Sequence, residues 1–174
     1  MTHEAILSNL IVLSALFLSL FIKRYIKEEL KVIKPFCKLF NIVILMVLIV
    51  ASLLRLDSVY LILIVILGFV MQNFIKTGFF PIPLAIMISS FNLNYLFSFS
   101  SLLSLYYLLF GYSNEITKRD LSIAVMLHLV LLALLLGSFL INYNKILFAF
   151  VIGLFINLVI KDIRELRKEK WHSI

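Results

Sequence analysis

The chain has 174 residues, of which 63% are hydrophobic and 14% charged, and it carries a net charge of +7. A water-soluble domain is nearly half apolar and a quarter charged, so this composition excludes one and points to lipid. Sixteen Lys and Arg stand against nine Asp and Glu, an excess that serves membrane topology and not nucleic acid, because no basic patch interleaved with aromatics stands outside the apolar runs.

Uncharged runs cover residues 5–22, 39–54, 58–75, 77–114, 121–144 and 146–160. Each except the fourth has the length of one transmembrane helix. The expected fold class is all-α: one integral membrane domain over 1–174, with six or seven hydrophobic helices. The single Cys37 rules out an internal disulfide and a multi-cysteine metal site.

His3 and Glu4 precede the first run, and Lys23 and Arg24 follow it. A cleavable signal has the opposite charge order, so this run reads as a retained helix whose N-terminus lies outside. After it, Ile22, Ile26, Leu30 and Ile33 recur at helical spacing with lysines on the other faces. That pattern predicts a cytoplasmic amphipathic extension within 23–38, ending before Pro35, whose lysines rest on anionic headgroups mainly as an anchor.

The second span, Leu39 to Leu54, holds Asn41 and leads to an exterior turn in which Arg55 and Asp57 can neutralise each other. The third, Ser58 to Ile75, ends on Gln72 and Asn73 at the inner boundary, just before Lys76. Gly78, Pro81 and Pro83 then predict a stiff extended lead-in and a new helix from about Pro83.

The fourth uncharged run holds 38 residues between Lys76 and Glu115. As helix it would reach roughly 57 Å, too long for one crossing and barely enough for two. Its middle is polar, with Ser89, Ser90, Asn92, Asn94, Ser98, Ser100, Ser101 and Ser104 in sixteen positions. A break is expected at Asn92 to Asn94, inside the membrane, making either two short spans or a re-entrant hairpin.

The remaining runs are Leu121 to Tyr143, opened by Asp120, and Ile146 to Ile160, followed by a basic cytoplasmic tail over 161–174. In that tail Ile163, Leu166 and Trp171 would lie on the membrane while the charges face water. Ala133 with Gly137, and Ala149 with Gly153, set small residues four apart, the spacing that lets membrane helices approach closely. Leu16, Phe17, Leu20, Ile22 and Lys23 match Leu154, Phe155, Leu158, Ile160 and Lys161 at identical spacing; a parallel repeat is one reading, since both segments run the same way, and chance in a chain so rich in Leu and Ile is the plainer one.

Charge chooses between the folding patterns of the long run. If it returns to its starting side, fourteen of the sixteen basic residues share one face, leaving Arg55 and Lys145 opposite; a single crossing would divide them equally. The positive-inside rule selects the return, with the C-terminus cytoplasmic in a multi-pass cell-membrane protein.

No Asp, Glu, Lys or Arg lies within an apolar run, which argues against a proton-coupled carrier. Serine-elbow, phosphate-loop and helical His-Glu metal patterns are missing, so no catalytic residue, metal site or cofactor is assigned. His128 is the one embedded ionisable group. It could bind haem, a metal or a proton, but His3 and His172 belong to opposite ends of the membrane, so the plainer reading is a neutral imidazole bonded within the bundle.

The polar residues of 89–104 have two readings. Their hydroxyls can bond the preceding turn or bridge helices. Alternatively, non-helical backbone at Asn92 to Asn94 could line a watery cavity walled by Phe91, Tyr95, Phe97, Phe99, Tyr106 and Tyr107. The first suits a non-catalytic membrane subunit or assembly factor that binds lipids and other membrane proteins or itself. The second suits a small transporter or channel for a neutral solute. A lipid enzyme acting through His128 ranks last.

Overall fold

A computed structural model describes residues 2–26, 29–54, 60–74, 79, 81–89, 93–136 and 144–171. Among them the chain is all-helical with no strand: α1 (Thr2–Tyr25), α2 (Leu30–Leu53), α3 (Tyr60–Phe74), α4 (Pro81–Ser89), α5 (Leu93–Ser113), α6 (Lys118–Leu136) and α7 (Asn144–Trp171). Segments of four of these, Ile6–Tyr25, Val32–Leu53, Leu96–Ser113 and Lys145–Lys168, are long and apolar enough to cross a membrane. Helices at such depth are expected, since lipid offers the backbone no hydrogen-bond partner.

Two pairs of helices distant in sequence frame the bundle. α1 lies along α5 and α3 along α7, while α2 packs on both α5 and α7. Both pairs are parallel. Lys23, in the last turn of α1, donates to the carbonyls of Gly111 and Asn114 at the end of α5. Asn157 of α7 donates to Phe69 O near the end of α3 at 2.8 Å. α2 runs the other way, its Lys38 meeting Glu165 late in α7 at 3.2 Å. The ends of α1, α3 and α5, the start of α2 and the last turns of α7 therefore share one end of the bundle, and the basic residues Lys23, Lys34, Lys38, Lys161 and Arg164 collect there.

Close approach explains the α3–α7 pair. A methyl added at Gly68 would strike the backbone of Phe150, and one at Gly153 the backbone of Val65 and Phe69. With no side chain between them, the two backbones come into direct dispersion contact. Ala149, one turn before Gly153, is buried in the same helix.

At the centre lies α4. Every one of its nine residues is buried, from Pro81 to Ser89, and it touches α1, α5, α6 and α7. Phe79 anchors its approach, packing edge-on against Tyr107 and Phe110 with ring centroids 6.0 and 5.3 Å apart.

Several boundaries depart from the sequence reading. The first helix does not run on towards Pro35: it stops at Tyr25, and α2 starts at Leu30 with Pro35 inside it. Pro35 is the sixth residue of α2 and so gives up the backbone bond one turn back inside the helix instead of ending it. α4 begins at Pro81 and not near Pro83, because the first helical turn has no intrahelical use for the N–H groups that both prolines lack. α5 begins at Leu93, so Asn94, where a break is expected, belongs to its first turn. The turn at Arg55 to Asp57, along with Lys76, Gly78, Ser90, Asn92 and Gly137, lies outside the described residues.

Candidate functional site

Four serines of the polar belt turn their hydroxyls back on their own helices. Ser89 donates to Ile86 O at 2.9 Å, Ser101 to Phe97 O at 2.8 Å and Ser104 to Ser100 O at 2.7 Å, while Ser100 bonds Leu96 O. A hydroxyl used in this way is satisfied without water or a neighbouring helix. Ser98 and Ser101 lie on the exposed side of α5, whereas Ser89 and Ser100 are buried. Among the described residues, then, the serines of the belt divide between two surfaces.

Phe99, Tyr106 and Tyr107 near the belt form packed core. Tyr106 stacks on Phe110 at 5.6 Å, Phe99 meets Phe148 of α7 edge-on at 6.2 Å, and Tyr106 and Tyr107 are both fully enclosed. Phe97 points outward.

His128 sits on α6 beside this cluster, 3% exposed, with its ring centroid 5.7 Å from that of Tyr107. Its Nδ1 lies 2.8 Å from Ala124 O, a contact that selects the tautomer with the proton on Nδ1 and leaves Nε2 an acceptor. Neither Nε2 nor the Tyr107 hydroxyl has a partner among the described residues. Those residues hold no cluster of three or more His, Cys, Asp or Glu able to bind a metal.

The structure draws attention instead to the basic end. Lys38, only 4% exposed, bonds Glu165, and Asp162 is buried one turn earlier on α7. The sequence reading turned the charges of 161–174 towards water, yet these two acids face the bundle. A signal was present: the buried stripe Phe155, Leu158 continues at helical spacing onto Asp162 and Glu165, so a helix that extends past Ile160 carries them inward.

Three cavities open around this end. The first, of about 290 Å³, is lined by Lys34, Lys38, Lys168, Asn114, Glu115 and Glu165, among others. Across the α2–α7 contact lies an apolar groove of about 640 Å³ formed by Pro35, Phe36, Leu39, Ile42, Ile163 and Leu166, with Arg167 at its rim. The third, of about 310 Å³, lies between α3 and α7. None of the three is lined by Ser89, Ser98, Ser101, Ser104 or His128.

The small residues part company as well. Gly153 and Ala149 are consumed inside the bundle, whereas Ala133 is exposed on α6 beside Met126, Leu129 and Val130. Fold and surface together define an all-helical protein with several apolar helices compatible with a membrane. Comparison with protein-family models, curated proteins and solved structures finds no match to the chain.

Proposed function

We propose that this protein is a non-catalytic subunit or assembly factor of the cell membrane that binds other membrane helices through α6. The observation that carries this reading is the outward position of Ala133 among exposed Met126, Leu129 and Val130. Among the described residues α6 packs mainly on α1 and α4 and touches α5 through His128 and Tyr107. Met126, Leu129, Val130 and Ala133 face away from the bundle, and a small residue is where a helix from another chain approaches closest. The N-terminus lies outside and the C-terminus in the cytoplasm, a topology supported by the collection of basic residues at one end of the bundle. In it, α4 and α5 form a hairpin that enters from the cytoplasmic side and returns to it.

The alternative, a channel or carrier for a neutral solute, draws on the polar composition of 89–104 and on the His128 and Tyr107 polar atoms that have no partner among the described residues. Against it stands α4, whose Ile82, Leu84, Ile86, Met87 and Ile88 fill the centre that a path would need.

The test uses the full chain carrying Cys37→Ser and Ala133→Cys, with a photoactivatable thiol reagent attached in native membranes. A discrete protein adduct at Ala133, absent when the probe sits at Leu63 on α3, supports the reading. Adducts at neither position, together with neutral-solute flux in proteoliposomes, would replace it with the alternative.

A further inference from the structure

The cavity between α3 and α7 differs chemically from its neighbours. Its lining is Phe69, Asn73, Asn157, Ile160, Lys161 and Arg164, which supplies two cations, two carboxamides and no carboxylate. The cavity at Lys34 and Lys38 includes Glu115 and Glu165, so its charges offset one another. An anion is favoured in the first and much less in the second.

The amides are held in place. Asn157 spends both Nδ2 hydrogens, one on Phe69 O at 2.8 Å and one on Asn73 Oδ1 at 3.1 Å. Asn73 is therefore oriented by its oxygen and keeps its own N–H donors. Beneath them, the backbone contacts at Gly68 and Gly153 fix α3 against α7, so the Asn73 amide is prearranged and loses little freedom on binding. Arg164 adds a planar fork suited to phosphate oxygens, and Lys161 a point charge.

Depth narrows the ligand further. Ile160 closes the last uncharged run and Lys161 opens the charged segment, so the cavity straddles the level where lipid headgroups meet acyl chains. Phe69 and Ile160 give it an apolar floor. We propose that this cavity binds the phosphate headgroup of an anionic phospholipid in the cytoplasmic leaflet. The proposal rests on the membrane orientation given above but not on the partner helix at α6, so the two fail separately.

The experiment is native mass spectrometry of the full chain in mild detergent, titrated with dioleoyl phosphatidylglycerol, dioleoyl phosphatidylcholine or sodium phosphate. Retention of phosphatidylglycerol over phosphatidylcholine is expected, falling about tenfold in the Lys161→Gln, Arg164→Gln double variant. The Lys34→Gln, Lys168→Gln variant removes equal charge and should retain the lipid within about twofold. Arg164→Lys keeps the charge without the fork and gives an intermediate loss, a readout that survives if the double variant folds poorly. Equal loss in both double variants, equal retention of the two lipids, or displacement of phosphatidylglycerol by millimolar sodium phosphate would each overturn the assignment, the last by making the site one for free anions.

Discussion

α3 and α4 are the two most apolar of the described helices, yet they end in opposite surroundings. All nine residues of α4 are buried, while α3 exposes Ile62, Leu63, Ile66, Leu67, Val70 and Phe74 and, among the described residues, packs mainly on α7. Apolarity commits a segment to leave water without saying whether lipid or protein receives it. What separates the two is shape: α3 meets α7 along a glycine-lined strip, whereas α4 is surrounded by four helices. The hydrophobic gain of leaving water is common to both; dispersion and fit differ.

The largest effect should come from making α4 resemble α3. Ile86→Ala leaves a cavity that its close-packed neighbours only partly fill, and should cost about 3 kcal/mol, whereas Ile66→Ala on the outer face of α3 should cost under about 0.5 kcal/mol. Thermal unfolding of both variants in one detergent checks this, and equal losses would abolish the distinction. Gly153→Ala tests the other side of the comparison. Its methyl meets the backbone of Val65 and Phe69, so α3 must move away, at about 2 kcal/mol; a disulfide pair introduced across the α3–α7 contact should then form more slowly.

A smaller change sharpens the contrast between buried middle and polar end. Glu165→Gln removes the carboxylate from buried Lys38, but Glu165 is itself 38% exposed, so water screens part of the loss and about 1 kcal/mol is expected.

The smallest effect concerns helix ends. A peripheral helix relies on local capping more than an enclosed one does, and α6 is capped by a reciprocal pair: Thr117 N–H donates to Asp120 at 3.0 Å, and Asp120 N–H to the Thr117 hydroxyl at 3.2 Å. Asp120→Asn should cost about 0.5 kcal/mol. The Thr117 hydroxyl and N–H hold the Asp120 carboxyl below its ordinary range. Its contribution is therefore complete above the unfolded carboxyl pKa of about 3.9 and disappears as pH falls through the lower folded value. Comparing wild type and variant by helical circular dichroism from neutral pH downward should show the difference closing in acid.

The belt at 89–104 was legible as composition but not as geometry. Eight polar residues in sixteen positions suggest convergence, yet helical rotation sends Ser98 and Ser101 outward and Ser100 inward, and each hydroxyl whose bond is described above reaches a carbonyl of its own helix. Lys38 and Asp162 show the converse. Their positions beside apolar runs read as boundary charges, and only the extension of α7 to Trp171 turned Asp162 and Glu165 towards α2.

The order of residues alone determined that the chain is helical and apolar enough to suit a membrane, and roughly where its apolar helices fall, but not that α2 starts at Leu30 or that α7 runs to Trp171. These follow from transfer free energies, which each segment carries by itself. Which helix is enclosed, which small residue is spent inside and which faces outward, and where two cations and two amides meet without an acid were decided only by tertiary packing. Contacts such as Gly153 with Val65 or Asn157 with Asn73 join positions more than eighty residues apart, and no local pattern encodes them.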